Sequence, residues 1–251
     1  MSEEALVVGL HAVRTFLRLR PERAARLILQ KGREDARIAQ LLELATQAGV
    51  HIEWREVREL DRIAAGERHQ GACLRVRPAA ALGEGALDEL LDRTEAVPLL
   101  LVLDGVQDPH NLGACLRSAD AAGVQAVVVP RDRAAGLSPT VRKVAAGAAE
   151  VVPLIQVVNL ARTLKWLKER GLWVVGADDA APQSVYQTDL RGPLALVLGA
   201  EGTGMRRLTR ERCDALVGIP MQGVVESLNV SVAAGIMLFE TVRQRTAAGA
   251  P

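Results

Sequence analysis

The chain has 251 residues, of which 49% are hydrophobic and 2% aromatic, and its formal net charge is +1. High hydrophobicity with so little net charge excludes an intrinsically disordered chain. A net charge near zero is not typical of a uniformly basic nucleic-acid-binding protein, although it is compatible with a local basic face.

The sequence argues against several kinds of functional site and against a secreted or membrane location. Cys73, Cys115 and Cys213 lie far apart and form no CxxC pair, which favours a reduced, cytoplasmic setting. The first residues lack the pattern of a signal peptide, and no stretch approaches the ~18 apolar residues of a membrane span. The histidines do not cluster with cysteines or carboxylates at metal-ligand spacing, so we expect no metal site and no membrane association. Motifs of P-loop, serine-hydrolase, zincin and kinase sites are missing.

Residues 5–77 predict a small α/β module. Val13, Phe16 and Leu17 recur at helical spacing, and residues 41–45 predict a second helix that ends at Gly49. Alternating or apolar runs predict strands at 27–29, 51–54 and 72–76.

Residues 1–80 are mildly basic, with 14 Lys and Arg against 11 Asp and Glu, a net charge of +3. Several arginines of this part form either a surface that meets RNA phosphates or an ordinary solvated helix face, and the sequence leaves both open: Arg14, Arg18, Arg20, Arg23 and Arg26.

The chain beyond this module has a clearer pattern. Residues 78–96 have the composition of a linker, with a short helix possible within it. Apolar runs of strand length follow at 99–103, 126–129, 151–155, 172–176, 194–198 and 215–219. Helical stretches lie at 111–122, 138–148, 159–170, 205–212 and 228–244. This alternation predicts a parallel sheet covered on both faces.

The first candidate segment, 104–113, follows an apolar strand and precedes a helix, where parallel α/β folds present ligand-binding residues. A plain turn with Asn111 as the helix N-cap is the structural alternative. In the helix that follows, Arg117 lies off the apolar face, and a solvated charge or an ion pair with Asp120 is its structural alternative.

The second candidate segment, 196–205, runs from a strand into three glycines that surround Glu201. Their spacing is GxxGxG and not the GxGxxG of dinucleotide-binding folds. Because a plain turn needs fewer glycines, we interpret this loop as one that approaches a ligand closely.

The third candidate segment, 217–231, precedes a last helix for which Val232, Ile236 and Phe239 are predicted to face the core. Ser227 is the predicted N-cap of that helix. The same helix start is also a favourable place for a polar ligand, because its N–H groups are unpaired.

Together, the three segments resemble the motifs of the SPOUT superfamily, in particular its SpoU/TrmH branch of RNA ribose 2′-O-methyltransferases. The resemblance rests on the amino-acid identities and the order of residues 111–119, 198–204, 219–221 and 227–231, and the similar region spans 97–245. Residues 8–13 and 69–71 resemble the L30e-like substrate-binding module of some members. The resemblance implies a substrate-binding domain at 1–77, a linker at 78–96 and a catalytic domain at 97–251.

The resemblance also implies a trefoil knot near the C-terminus, a homodimer, and S-adenosylmethionine as cofactor. The cofactor is expected at the backbone of Gly199, Ile219 and Leu228, with Leu198, Gly204 and Met221 beside it. The catalytic and substrate-contacting candidates are Asn111, Arg117, Glu201, Ser227 and Asn229. Glu226 departs from the small polar residue that relatives often have. Because a guanidinium stays protonated, an electrostatic role for Arg117 fits better than that of a base.

Within this branch the closest likeness is to enzymes that methylate a guanosine ribose in 23S ribosomal RNA. The alternatives are a transfer-RNA ribose methyltransferase, a non-catalytic RNA-binding or ribosome-assembly protein, and a nucleotide-dependent oxidoreductase, which the missing GxGxxG disfavours.

Overall fold

The structure, a computed structural model, describes residues 4–225 and 227–249. The chain forms two compact units. The first runs to Ala79 and takes in Ala146–Val151, and the second comprises Ala80–Ala145 and the chain from Val152 onward. No helix within the described ranges is long and apolar enough to cross a membrane.

Strands and helices alternate along the chain. The strands are β1 (Ala5–Val8), β2 (Ala24–Gln30), β3 (His51–Arg55), β4 (Ala72–Val76), β5 (Leu99–Asp104), β6 (Ala126–Pro130), β7 (Leu154–Val157), β8 (Trp173–Ala177), β9 (Leu194–Gly199) and β10 (Ala215–Val217). The helices are α1 (Leu10–Leu19), α2 (Ala36–Gln47), α3 (Val57–Ala64), α4 (Glu84–Asp92), α5 (Pro109–Ala121), α6 (Pro139–Ala145), α7 (Ala148–Val151), α8 (Leu160–Glu169), α9 (Arg207–Arg212) and α10 (Val230–Ala247).

The first unit contains a four-stranded sheet in the order β1-β4-β2-β3, in which β2 and β3 are parallel and the other pairs antiparallel. Helices α1 and α2 cover one face around the buried Phe16 and Leu41. Helix α3 contributes Leu60 to a second cluster with Ile28 and Cys73. The predicted helices and strands of this unit are confirmed, and β1 and α3 are additions.

The second unit contains a six-stranded sheet in the order β10-β8-β9-β5-β6-β7, and every neighbouring pair is parallel. The predicted parallel sheet is therefore confirmed. Continuous burial of β5, β6 and β9 matches their continuous apolar runs, because helices cover both faces of such a sheet.

Two predicted boundaries in this region are wrong. The stretch 138–148 is not one helix, because Ala146 and Gly147 adopt left-handed backbone angles that separate α6 from α7. The apolar run at 151–155 begins its strand only at Leu154, since Val151 ends α7. Within the predicted linker, α4 buries Leu87 and Leu91 in the core of the second unit.

The core face predicted for the last helix is also wrong. Val232 and Phe239 are each 49% exposed, whereas α10 buries Ala234, Met237 and Leu238. Apolar residues surround this helix on most sides, so periodicity alone does not select the buried face. The packing leaves Val232, Ile236 and Phe239 as an outer stripe on α10, with Ile236 only partly buried.

Candidate functional site

The first two candidate segments leave the sheet side by side. Strands β5 and β9 are parallel neighbours, and their register pairs Asp104 with Gly199 at the carboxyl ends. Because each segment continues directly from its strand, the loop after β5 and the loop after β9 start at the same edge. This edge is where parallel α/β sheets present functional residues.

Helix α5 begins earlier than the sequence suggested. Its N-cap is Asp108, whose side chain accepts a hydrogen bond from the His110 backbone N–H at 2.9 Å, and Pro109 occupies the first turn. The prediction of Asn111 as N-cap is therefore wrong. Asn111 instead lies inside the helix with only 7% of its surface exposed. Its side chain is left available for a contact outside the helix.

The loop after β9 folds back on itself. Ala200 and Gly204 exchange two backbone hydrogen bonds of 3.2 and 2.9 Å, and Gly202 and Gly204 have left-handed backbone angles. A Cβ on Gly199 would lie 2.0 Å from the carbonyl carbon of Gly204, so no other residue fits there. The backbone geometry of the loop therefore accounts for each of its three glycines. What the loop offers chemically is the exposed carboxylate of Glu201.

Helix α10 begins at Val230, and its N-cap is Asn229. The Asn229 side-chain oxygen accepts hydrogen bonds from the Ser231 backbone N–H at 2.9 Å and from Ser231 Oγ at 2.6 Å. The prediction of Ser227 as N-cap is wrong because Asn229, an equally good capping residue, directly precedes the first helical residue.

Asn229 joins all three candidate segments. Its Nδ2 donates to Asn111 Oδ1 at 2.9 Å and to Glu201 Oε1 at 2.6 Å. With its oxygen bonded to Ser231, both ends of the Asn229 amide are engaged. Residues from α5, the loop after β9 and the start of α10 therefore form one hydrogen-bonded cluster, which we call the asparagine cluster: Asn111, Glu201, Asn229 and Ser231.

A second contact fixes the C-terminal end of the loop after β9, which we also call the Glu201 loop. The Asp104 carboxylate is 1% exposed; its Oδ2 accepts from the Arg206 backbone N–H at 2.8 Å, and its Oδ1 lies 3.6 Å from Arg206 Nη1. Arg206 is the N-cap residue of α9. Sequence reasoning did not single out this pair, although a carboxylate that ends a fully apolar strand was a visible signal.

Two of the five predicted catalytic and substrate-contacting residues lie outside the asparagine cluster. Arg117 and Ser227 are exposed, and neither forms an ion pair or hydrogen bond with another described residue. Of the structural alternatives for Arg117, the structure has the solvated charge and not the pair with Asp120. Glu226, the residue that departs from the family pattern, lies outside the described residues.

Comparison with known proteins identifies the family to which the chain belongs. Residues 98–239 match the model of the SpoU rRNA Methylase family, and residues 6–82 match the model described as RNA 2'-O ribose methyltransferase substrate binding. The chain belongs to the SpoU rRNA methylase family.

Relatives of this SpoU methylase extend over its whole length. The 23S rRNA (guanosine-2'-O-)-methyltransferase RlmB of Pseudomonas aeruginosa is 59% identical over 246 residues, which cover 98% of this chain and 99% of the relative. The enzyme of the same name from Pseudomonas syringae pv. tomato is 57% identical, with 100% of both chains covered. The solved structure of the SpoU methyltransferase AviRb from Streptomyces viridochromogenes with its cofactor AdoMet has a TM-score of 0.70 at 24% identity, covers 97% of this chain and 91% of AviRb, and shows the shared fold.

The residues expected to contact the cofactor lie close in sequence to members of the asparagine cluster or on other loops of the second unit. Leu198 and Gly199 end β9, and Gly204 closes its loop. Ile219 and Met221 follow β10, and Leu228 precedes α10; all three are partly buried. No hydrogen bond among the described residues uses the backbone N–H or C=O of Ile219 or Leu228. Partly buried backbone groups without partners fit a polar ligand that supplies hydrogen bonds of its own.

Proposed function

We propose that this SpoU methylase transfers the methyl group of S-adenosylmethionine to the ribose 2′-oxygen of a guanosine in 23S ribosomal RNA. The observation that carries the proposal is the asparagine cluster, which brings the three family motifs to one edge of the sheet. Two relatives that are 57–59% identical over almost the whole chain are named for this reaction, which supports the choice of substrate.

The cofactor, when bound, supplies a methyl group activated on a sulfonium centre. We assign its binding to the backbone of Gly199, Ile219 and Leu228, with Leu198, Gly204 and Met221 lining the same place. The backbone groups of Ile219 and Leu228 form no hydrogen bond within the part of the chain that the structure describes, which supports this assignment. Fixed backbone groups hold a ligand without adding side-chain entropy costs, so the methyl group is positioned accurately.

The side chains of the asparagine cluster then orient the RNA. Asn111 is buried and Asn229 is held by four hydrogen bonds, so both are rigid. No other described residue bonds the second carboxylate oxygen of Glu201, which leaves it for the sugar. Ser227 lies close in sequence to Asn229 and is exposed for substrate contact. Arg117 pairs with no carboxylate of residues 4–225 and 227–249, which leaves its charge available to stabilise the alkoxide that develops as the hydroxyl proton leaves.

We further propose that the protein acts as a cytoplasmic homodimer. The outer stripe of α10, Val232, Ile236 and Phe239, begins within one turn of Asn229, and its exposed apolar side chains fit burial against a second copy of the chain. The free state of Cys73, Cys115 and Cys213 agrees with a reducing compartment. Membership of the family supports the expected trefoil knot, which a trace of the chain in a crystal structure would test.

The experiment is methyl transfer from tritiated S-adenosylmethionine to three RNAs: unmodified 23S rRNA transcript, 16S rRNA transcript and bulk transfer RNA. We expect label in 23S rRNA alone. Label in transfer RNA would favour a transfer-RNA ribose methyltransferase. Cofactor binding without transfer to any RNA would favour a non-catalytic RNA-binding protein, and binding of NAD in its place would favour an oxidoreductase.

A further inference from the structure

The arginines of the first unit fall into two groups. Five of them pair with carboxylates at 2.5–3.6 Å: Arg23 with Glu150, Arg26 with Glu53, Arg33 with Asp35, Arg55 with Glu53 and Arg75 with Glu4. Arg23 and Arg26, two of the arginines that the sequence offered for RNA contact, are therefore engaged within the protein. The others pair with no carboxylate among the described residues: Arg14, Arg18, Arg20, Arg37, Arg58, Arg62, Arg68 and Arg77.

Arg14 and Arg37 line the same cavity. It has a volume of about 290 Å³ beside α1 and α2, and Leu10, His11, Gln40, Leu41 and Gln70 complete its lining. We call it the α1–α2 cleft. Its lining contains two permanent positive charges and no carboxylate. A concave surface of one sign concentrates the electrostatic potential, so the cleft attracts anions.

The side chains of the cleft are arranged for a ligand with both charge and hydrogen-bonding groups. Arg14 is partly buried, and its hydrogen bonds within the described part of the chain go to Gln40 Oε1 at 3.4 Å and His11 Nδ1 at 3.3 Å. Both distances are long, so these contacts only partly satisfy the guanidinium. The amides of Gln40 and Gln70 add donors and acceptors beside the two charges.

The rim of the cleft is held in place from outside. Arg33 donates from Nη1 to the Gln70 carbonyl oxygen at 2.6 Å and from Nε to Asp35 at 2.6 Å. Gln70 itself has a left-handed backbone angle of 49°, which a non-glycine residue adopts only when its surroundings impose it. These contacts fix the backbone of Gln70 at the rim, which lowers the entropic cost of ordering this part of the cleft on binding.

We propose that the α1–α2 cleft binds one nucleotide of the RNA substrate, with the phosphate between Arg14 and Arg37 and the sugar or base against Gln40 and Gln70. The volume lies near the lower end of the roughly 300–1,000 Å³ of small-molecule pockets, which suits a single nucleotide. Guanidinium groups recognise phosphate oxygens through forked, charge-assisted hydrogen bonds. The identity of the polymer as RNA rests on the proposed function, and the cleft extends it by naming a substrate contact remote in sequence from the methyl-transfer motifs.

The test uses the full-length protein, unmodified 23S rRNA transcript and saturating S-adenosylmethionine. R14Q/R37Q removes both charges while it keeps polar side chains of similar length. R58Q/R62Q is the matched control, because it removes two exposed arginines of α3, a helix that packs in a different core cluster of the same unit. Filter binding across a potassium chloride series gives the Kd and its salt slope, and initial rates give kcat and KM.

We expect R14Q/R37Q to raise Kd and KM by roughly tenfold to a hundredfold, as loss of hydrogen bonds to a charged group does. Its salt slope should flatten by about one unit, since one phosphate contact is lost. The kcat should stay within about twofold, because the methyl-transfer groups are intact. Wild-type Kd and salt slope in R14Q/R37Q, or equal losses in R58Q/R62Q, would overturn the proposal.

A charge-conserving variant covers the case in which R14Q/R37Q does not fold, as judged by its melting temperature and by calorimetric binding of S-adenosylmethionine. R14K/R37K keeps both charges and loses the forked geometry, so we expect a Kd raised about threefold or more with an unchanged salt slope. An unchanged Kd in R14K/R37K would then overturn the proposal. If the wild type binds 23S rRNA through this cleft without transferring a methyl group, the proposed function fails while the cleft assignment stands.

Discussion

Replacement of Asn229 separates the structural and chemical roles of the residue at the centre of the asparagine cluster. Asn229→Ala removes the cap of α10 and both bonds donated by Nδ2. Asn229→Ser keeps a capping oxygen and removes the two donors. Asn229→Asp keeps the capping oxygen, favours the helix N-terminus electrostatically, and places a second carboxylate against Glu201.

The magnitudes follow from these contacts. Loss of an N-cap costs about 1 kcal/mol. The two donated bonds contribute about another 1 kcal/mol together, because Glu201 and Asn229 are exposed and the charge-assisted bond is screened by solvent. Asn229→Ala should therefore destabilise the second unit by about 2 kcal/mol and lower its Tm by roughly 4–8 °C. Asn229→Ser and Asn229→Asp should lose about half of that or less.

Activity should not follow stability across this series. We expect all three variants to lose roughly a hundredfold or more in kcat, since each removes the amide donor that holds Asn111 and Glu201 together. Thermal melts give the Tm, and tritium transfer to 23S rRNA at saturating cofactor gives the kcat. Near-normal turnover in Asn229→Ser would show that Asn229 acts only as a helix cap and that its amide donors have no part in catalysis.

Three further predictions concern single side chains. Arg117→Ala should lower kcat roughly a hundredfold or more and leave the calorimetric Kd for S-adenosylmethionine unchanged; normal turnover would remove Arg117 from the mechanism. Asp104→Ala leaves the Arg206 backbone N–H without its acceptor, so it should cost about 1–3 kcal/mol in urea unfolding and lower kcat by loosening the Glu201 loop, and a wild-type urea midpoint would contradict this. Hydrogen bonds from Arg243, and then from Gln244, hold the pKa of Glu240 below its ordinary value. Because the folded-state pKa is the lower one, this stabilisation is present above about pH 4.5 and is lost as the pH falls below it. The Tm of Glu240→Gln should therefore fall less steeply than that of the wild type between about pH 5 and pH 3; parallel acid limbs would argue against it.

Most of the fold was predictable because its strands are continuous apolar runs. Burial on both faces leaves a plain signature in β5, β6 and β9. The short β1 and the charged α3, which buries only Leu60 and Ala64, lack such a signature. The break between α6 and α7 depends on a left-handed backbone angle at Ala146. Alanine rarely adopts this conformation, so no local sequence pattern predicts the break.

The candidate site was predictable as three segments but not as a set of contacts. The observed N-caps of α5 and α10 differ by three and two residues from the predicted ones. Asp108 and Asn229 are capping residues as good as Asn111 and Ser227, so residue type alone does not select between them. The bond between Asn229 and Asn111 joins residues 118 positions apart, and that between Asp104 and Arg206 joins residues 102 apart. Such pairs follow from the sheet order, which neither periodicity nor local propensity determines.

The decisive measurement for methyl transfer to a single guanosine is a map of 2′-O-methylation on unmodified 23S rRNA transcript after incubation with the protein and S-adenosylmethionine. We expect full methylation of one guanosine by the wild type, and methylation of the same position roughly a hundredfold more slowly by Asn229→Ser at equal concentration. An unmodified transcript, despite calorimetric binding of the cofactor and measured binding of the RNA, would contradict this expectation.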